Sequence, residues 1–459
     1  MTFQMLAASL IKKVGRMHNG KLYGVLILMA AFCPAGFAQI DCSSSGAPAK
    51  NKLACVIPGA VTPPNYSFIS NPGAAAPSGN LSNSFGFLTE DMGGEISQIP
   101  LASPASGIIF TTDPTLHVPV PSNESLGPIL TQRADTIGRH KLYIAGTYQY
   151  FLLKDVDGLS LQNLPSAFFF SSTGGTTADT VGIANGRIDL KIHQFVGYIT
   201  YGLTSKIDVS AAVPILRVDM RYTFSELLFN LASGQPLSAA CSATNPPPCG
   251  AASSQMQSNK PGEATGVGDI VLAAKEAVWT PKRGGGIALG VEVRLPTGDA
   301  QNFLGSGATG VKPYASFTYA SRVSPHFDVA YQVNGNTDLV TSKAGGRGRL
   351  PDRLSYSGGA DWRVASRLTI AADILEQRLF NASRASLISA EIDNNNGQKL
   401  FSVPAISTSR NDYNRTDGSI GLKLKPFGNL LVTGNFLVKL DRGGLRERFA
   451  PLVGLSYTF

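Results

Sequence analysis

The chain has 459 residues and only 15% of them are charged, well below the quarter that is usual for soluble domains. Without residues 1–38, which contain four basic and no acidic side chains, 35 basic residues face 31 acidic ones. This mild balance gives no indication of nucleic-acid binding, and we predict no nucleic-acid partner. No run of about 18 apolar residues follows residue 38, which excludes transmembrane helices.

Residues 1–38 have the features of a secretory signal peptide. Their basic residues are Lys12, Lys13, Arg16 and Lys21. The apolar run Leu22–Phe32 is too short to span a bilayer, and Gly36–Ala38 forms a small-x-small cleavage site. We therefore predict that the protein is exported and cleaved after Ala38.

Four cysteines remain after cleavage: Cys42, Cys55, Cys241 and Cys249. An even number of cysteines in an exported protein predicts disulfides, and three connectivities are possible. We expect the local pairs 42–55 and 241–249. The spacings do not match a metal site and no histidine lies near them, so we predict neither metal nor cofactor.

Residues 39–138 form an amino-terminal extension rich in proline, glycine and serine. Its prolines exclude central strands, but its second half carries apolar residues that are expected to be buried away from water. Two interpretations remain open. The extension is either a periplasmic tail with a small hairpin, in which Gly107–Thr112 pairs with Leu116–Val120, or a plug inside a barrel.

From residue 139 to residue 459, strand-length stretches alternate with turns. The twelve predicted strands are Arg139–Phe151, Ile188–Leu203, Lys206–Tyr222, Val267–Trp279, Gly285–Pro296, Val311–Arg322, His326–Gly335, Arg353–Ala365, Ser366–Arg378, Asp417–Pro426, Asn429–Asp441 and Phe449–Phe459. Apolar and polar residues alternate within them, as where Leu289 and Val291 oppose Glu292 and Arg294. In the third strand the apolar face changes sides at Pro214, which predicts a bulge there.

The connections between these strands are alternately long and short, as in membrane barrels with short periplasmic turns and long external loops. We therefore predict an all-β protein, an antiparallel transmembrane β-barrel of about twelve strands in the bacterial outer membrane. The last strand, Phe449–Phe459, resembles the assembly signal of such barrels, with Tyr457 and Phe459 as its aromatic residues. Its expected partners are outer-membrane lipid and the barrel-assembly machinery.

Short glycine-rich motifs carry a resemblance to a known family. They are Gly202–Val209, Val213–Pro214, Gly266–Ile270 with Lys275, Arg294–Asp299 and Leu304–Gly307. With them, residues 139–459 resemble the outer-membrane β-barrel family named for a meta-pathway of phenol degradation, which is loosely similar to the long-chain fatty-acid transporters of the outer membrane. The resemblance implies import of hydrophobic or aromatic compounds and no enzymatic step.

Charged residues of both signs are predicted on the inner face of the barrel. They are Asp208, Arg217, Asp219, Arg221, Lys275, Glu292, Arg294, Asp328, Asp361, Arg363, Asp373, Lys423 and Lys439. Such residues form ion pairs across the lumen or line a hydrated permeation route.

Two predicted external loops, 159–170 and 224–232, are unusually apolar, and we expect a short helix in the second. Apolar loop residues pack on each other or bind a solute. The residues of this hypothetical substrate mouth are Leu161, Leu164, Phe168, Phe169, Phe170, Leu228 and Phe229.

These features predict a channel for passive uptake of small hydrophobic or aromatic molecules, with no catalytic residues. A surface-exposed structural or adhesion barrel whose long loops bind a partner is the alternative. An outer-membrane lipase is a further alternative, for which His193 and Ser210 would form the nucleophilic pair.

Overall fold

In the computed structural model, the described residues are 52–56, 67–68, 92–96, 110–112, 119–121, 125–173, 178–237, 255–281, 284–341, 347–394 and 396–459. They are almost entirely β-structure. None of their helices has the length and apolar character needed to cross a bilayer. The predicted signal peptide lies outside these residues.

Twelve antiparallel strands form a closed barrel in which each strand pairs with its neighbours in sequence and the last pairs with the first. They are β1 Leu142–Val156, β2 Thr180–Gly202, β3 Ile207–Asn230, β4 Ile270–Trp279, β5 Gly285–Leu295, β6 Gly310–Tyr319, β7 Val323–Asn334, β8 Arg353–Ala365, β9 Leu368–Asp393, β10 Lys399–Leu424, β11 Leu430–Lys439 and β12 Phe449–Thr458. Closure removes every strand edge from the lipid, because β12 and β1 pair from Leu452–Gln149 to Thr458–Tyr143. The predicted fold class is therefore confirmed.

Four strands, β2, β3, β9 and β10, are much longer than the sequence predicts. The β2–β3 pair continues in unbroken register as far as Thr180 and Asn230, so residues 224–230 are strand and not the expected helix. Residues in the predicted external loop 379–416 instead extend β9 and β10 into a hairpin, in which the two strands pair as far as Asp393 and Lys399. We call the end of the barrel with these extensions the long-loop end, and the other the short-turn end.

The outer face of the barrel carries a band of exposed apolar side chains. Phe327, Ile374, Phe436 and Leu455 are each about half exposed, and they alternate with buried, mostly polar residues on the same strands. Aromatic residues border the band at the short-turn end, among them Trp279, Tyr319, Trp362 and Phe459. Such a band bordered by aromatic residues is typical of β-barrels that span a membrane.

The long-loop end carries further short elements. They are the strands Leu159–Ser160, Leu164–Ser171, Gln255–Val267, Asn336–Thr341, Arg347–Arg349 and Leu445–Glu447, and the 3-10 turn Ala300–Asn302. The extension adds the 3-10 turn Leu53–Cys55, the strand Ser67–Phe68, a helical turn at 92–96, and the strands Phe110–Thr112 and Pro119–Pro121. These last two pair with each other, close to the hairpin that the sequence predicts.

The carboxy-terminal residues support a prediction about assembly. Tyr457 and Phe459 lie in contact, with ring centroids 4.6 Å apart, and the Phe459 N–H donates to the Leu142 carbonyl. Deleting Phe459 should leave more unassembled protein in the periplasm, because it removes the terminal aromatic of the proposed signal. Extraction of outer membranes and SDS migration without heating measure the folded fraction, with Phe427→Ala in an exposed turn as control. Unchanged assembly of the truncated chain would contradict this role.

Candidate functional site: a chamber in the barrel lumen

Residues 125–137, called the strap below, cross the lumen near the short-turn end. At one wall the Leu126 N–H donates to Thr369 Oγ1 (3.0 Å). The Lys423 ammonium donates to the carbonyls of Leu126 (3.2 Å) and Pro128 (2.5 Å). These barrel residues belong to β9 and β10, and Ser125 bonds to Asp361 on β8.

The other half of the strap binds the opposite wall. Lys275 on β4 donates to the carbonyls of Arg133 (3.0 Å) and Asp135 (2.6 Å). The Ile137 N–H donates to Asp208 on β3 (3.0 Å), and the Ala134 N–H donates to Thr318 on β6 (3.0 Å). A buried irregular backbone needs such partners, because it has no sheet or helix to satisfy its polar groups.

The middle of the strap lies over two further strands. The Gln132 N–H donates to Asp328 on β7 (2.9 Å), and Thr131 bonds to Asp373 on β9 (3.3 Å). Asp135 on the strap accepts from the Gly285 N–H of β5 (2.7 Å). The strap therefore contacts eight consecutive strands, from β3 to β10.

Asp135 shows how the strap holds charge inside the barrel. Burial pushes the pKa of Asp135 upward, but the nearby Arg133 guanidinium and the Gly285 N–H outweigh burial and hold the pKa below its ordinary value. Arg133 Nε lies 3.0 Å from the Asp135 carboxylate. The carboxylate therefore stays ionised at neutral pH and anchors the strap to β5.

A chamber of about 230 Å³ lies in the lumen beside the strap. Leu130, Thr131 and Gln132 of the strap line it, together with Ile96 of the helical turn at 92–96. Its wall includes the apolar residues Leu216, Val271, Leu304 and Leu375 and the polar residues Gln194, Glu292, Arg294, Lys312, Tyr314 and Arg353. The lining thus combines apolar surface with paired charges, such as Glu292 and Lys312 at 2.5 Å.

The helical turn at 92–96 is held by the barrel wall through Glu95. This carboxylate accepts from Arg415 Nη1 (2.6 Å) and Tyr413 Oη (2.9 Å), and lies 3.4 Å from Arg353 Nη2. Met92 and Ile96 pack into the main apolar cluster. The sequence alone gave no indication of this site.

Three of the glycine-rich motifs that carry the family resemblance meet in space at the long-loop end, namely Gly266–Ile270, Arg294–Asp299 and Leu304–Gly307. Asp269 accepts from the N–H groups of Gly298 (3.1 Å) and Ser306 (2.7 Å), and Arg294 lies 3.7 Å from it. Gly305 sits so close to this carboxylate that an added Cβ would lie 2.4 Å from Asp269 Oδ1. The motifs therefore form one connection beside the chamber, and Gly305 is required by its close contacts.

Most of the residues predicted for the inner face do point inward. Asp208, Lys275, Asp328, Asp361, Asp373 and Lys423 are buried, and all six bond to the strap as described above. Glu292 and Arg294 line the chamber, and Lys439 on β11 pairs with Asp155 on β1, the strand on the other side of β12. Arg363 is half-buried on the same face as Asp361.

The prediction was wrong for Arg217, Asp219 and Arg221, which lie on the outer face. The register of β2 and β3 is unbroken through Pro214, so the expected change of phase does not occur. Instead Leu216, Val218, Met220 and Tyr222 are buried inside. The physical reason is that β3 continues beyond the apolar band, where the outside is polar and the inside is an apolar core.

The residues of the hypothetical mouth do not form an open surface. Leu161, Leu164, Phe168, Phe170 and Leu228 are buried in the main cluster. Phe169, which points to the opposite face of its strand, packs with Ile392, Val403 and Ala405 of the β9–β10 hairpin, and Phe229 lies at the edge of this group. Packing between loops, and not an open mouth, accounts for these side chains.

The predicted disulfides fall mostly outside the described residues. Cys55 is disulfide-bonded, whereas Cys42, Cys241 and Cys249 lie outside those residues, so the pairing stays a prediction.

The lipase pair is not brought together. His193 points outward and bonds to Tyr148, while Ser210 bonds to Thr200, whose side chain is buried. In the β2–β3 register His193 lies opposite Arg217, whereas Ser210 lies opposite Thr200, so His193 and Ser210 are far apart along the strands. Within the described residues, no group of three or more His, Cys, Asp or Glu side chains is placed to hold a metal ion.

Comparison with known proteins gives one family match and several solved barrels. Residues 172–373 match the family model described as "Putative MetA-pathway of phenol degradation". No curated protein matches this chain in sequence.

Three solved structures are similar in fold. An outer-membrane channel from Pseudomonas putida F1 is 13% identical with a TM-score of 0.38, covering 71% of this chain and 98% of the other. A Pseudomonas aeruginosa FadL homologue is 12% identical with a TM-score of 0.30, covering 77% and 96%. The CymD monoaromatic hydrocarbon channel is 11% identical with a TM-score of 0.29, covering 70% and 88%. Over residues 172–373 the chain thus matches the family that its glycine-rich motifs resemble.

Proposed function

We propose that this protein is a channel of the bacterial outer membrane for passive uptake of small, largely apolar molecules, aromatic ones among them. The observation that carries the proposal is the chamber inside the barrel, bordered by the strap and by the helical turn at 92–96. A cavity of about 150 Å³ lined by apolar side chains binds benzene. A chamber of 230 Å³ therefore accommodates a single ring with a few further atoms.

The lining supports a solute with an apolar body. Leu130, Val271 and Leu375 offer apolar surface, and removal of a ring from water onto such surface is favourable by about 25 cal/mol per Å². Four charged residues of the chamber form two ion pairs with each other, Glu292 with Lys312 and Asp269 with Arg294. A neutral ring that contacts these pairs does not have to displace water from an uncompensated ion. The family name, which concerns phenol degradation, agrees with an aromatic solute.

The test compares two neighbouring residues of β4 in proteoliposomes. Val271 lines the chamber, whereas Leu272 belongs to the alternate, outward set of the strand. Val271→Trp should reduce toluene uptake several-fold because it fills the chamber, and Leu272→Trp should leave uptake unchanged. Equal rates for toluene and for glycerol in the unmodified protein would indicate an unselective pore. No uptake of either would favour an adhesion role.

A further inference from the structure

Glu95 occupies a preformed carboxylate site on the barrel wall. Both of its oxygens are bonded, one to Arg415 and the other to Tyr413 with Arg353 nearby. The three wall residues come from β8 and β10 and are buried, whereas Glu95 comes from the extension. We call Arg353, Tyr413 and Arg415 the clamp.

The clamp depends on a carboxylate at this position. Among the described residues, Glu95 is the only carboxylate within ion-pair distance of Arg353. Arg415 has further partners, with Asp417 at 3.3 Å and Glu447 at 3.9 Å. Buried guanidinium groups without a counter-charge are costly, so the clamp is a strong site for a carboxylate that presents two oxygens.

The clamp is continuous with the chamber. Arg353 and Gln377 line the chamber wall, and Arg353 Nη1 donates to Gln377 Oε1 (3.0 Å). Ile96, the residue next to Glu95, also lines the chamber. A ring in the chamber therefore lies beside the place that the Glu95 carboxylate now fills.

Glu95 is held there as an anion. Burial pushes the pKa of Glu95 upward, but Arg353 and Arg415, with the Tyr413 hydroxyl, outweigh burial and hold the pKa below its ordinary value of 4.5. A carboxyl with a lowered pKa stabilises the folded state above its ordinary pKa and loses that contribution as the pH falls through the lowered value. The contact should therefore be unchanged between about pH 5 and pH 8.

We propose that the clamp is a binding site for the carboxylate of a solute, which the chain's own Glu95 occupies in the closed state. The substrate class is a small aromatic or acyl carboxylic acid, with its apolar body in the chamber. Exchange of one carboxylate for another restores every ion pair of the clamp. A neutral solute that displaced Glu95 would leave Arg353 without a counter-charge, although its bond to Gln377 would remain, so the exchange favours acids. This inference rests on the channel function proposed above.

The test measures binding of benzoate and of its neutral analogue benzamide to the full chain at pH 7. Glu95→Ala empties the clamp and removes the tethered competitor, so benzoate should bind at least about tenfold more tightly than to the unmodified protein. Benzamide binding should not change. Adding Arg353→Gln to Glu95→Ala should abolish the gain for benzoate.

Met92→Ala is the matched control, because Met92 lies on the same helical turn and is buried in the main apolar cluster, whereas the bonds to the clamp are made by Glu95. It should give no gain in benzoate binding. Should Glu95→Ala fail to migrate as a folded barrel in unheated SDS gels, Glu95→Gln keeps the shape of the side chain and should give a smaller gain for benzoate alone.

The inference is overturned if neither Glu95 variant binds benzoate more tightly, or if benzamide gains as much as benzoate. Toluene uptake and its sensitivity to Val271→Trp do not depend on the clamp. Loss of the benzoate result with intact toluene uptake therefore refutes the clamp and leaves the channel function in place. Tight benzoate binding without any uptake would refute the channel function instead.

Discussion

Deleting residues 39–137, so that residue 38 is followed directly by Gly138, is expected to open the lumen that the strap crosses and so to produce an open pore. The strap spans the lumen from Asp208 on β3 to Lys423 on β10, and it is removed completely by this deletion. The charged wall residues that bind the strap carry both signs, so water and neighbouring charges can satisfy them once the strap is gone. The barrel strands are untouched, and we expect assembly to continue.

Single-channel conductance in planar bilayers measures the result, with growth in the presence of a bulky hydrophilic antibiotic as a second readout. The matched control deletes residues 39–124 only, which removes the helical turn with Glu95 but keeps the strap and its anchors. This control should remain closed, whereas the longer deletion should show large, steady openings. Equal conductance of the longer deletion and the full chain would place the barrier elsewhere in the lumen.

The barrel itself was predictable because its signals are local. A strand with one face in lipid shows a period of two over its whole length, as Phe436 and Val438 show against Asn435 in β11. The alternation of long and short connections adds a second, independent signal. For these reasons the order of all twelve strands agrees with the sequence prediction, and the errors concern where strands end and which way β3 faces beyond Pro214.

The orientation of charged residues could not be read from alternation alone. Arg217 and Asp208 lie on the same strand, but Asp208 is buried near the strap and Arg217 is exposed above the apolar band. Which face of a strand is polar depends on the position along the barrel axis. Within the apolar band the outward residues are apolar, whereas beyond the band the outward residues are polar and the inward residues form an apolar core. The sequence of β3 does not indicate where along the strand the apolar band ends.

The strap could not be predicted because its partners are distant and its own sequence is irregular. Ser125 bonds to Asp361 and Leu126 to Thr369, contacts that no local pattern encodes. The same holds for Glu95, whose partners Arg353 and Arg415 lie on strands that read as ordinary barrel strands. Irregular segments satisfied by side chains of a surrounding wall leave no periodic signal.

Replacing Arg446 by methionine is expected to destabilise the barrel strongly. Its side chain is fully buried and holds Asp417 at 2.7 Å, and it also donates to the Thr416 carbonyl (2.6 Å). Removal of one member of a buried ion pair typically costs about 3–5 kcal/mol, because the charge that remains buried is no longer fully compensated. Asp417 in turn pairs with Arg415 of the clamp, so the loss should also loosen the contact with Glu95.

Arg378→Met is the matched control, since Arg378 makes a comparable ion pair with Asp412 (3.3 Å) on neighbouring β9 and β10, but both side chains are about half exposed. Exposed pairs are screened by water and contribute little, so this variant should unfold like the unmodified protein. Urea unfolding of the protein in lipid vesicles, followed by tryptophan fluorescence, gives the free energies. If Arg446→Met and Arg378→Met unfold at the same urea concentration, the buried network does not stabilise the barrel, and the clamp would have to hold Glu95 without its support.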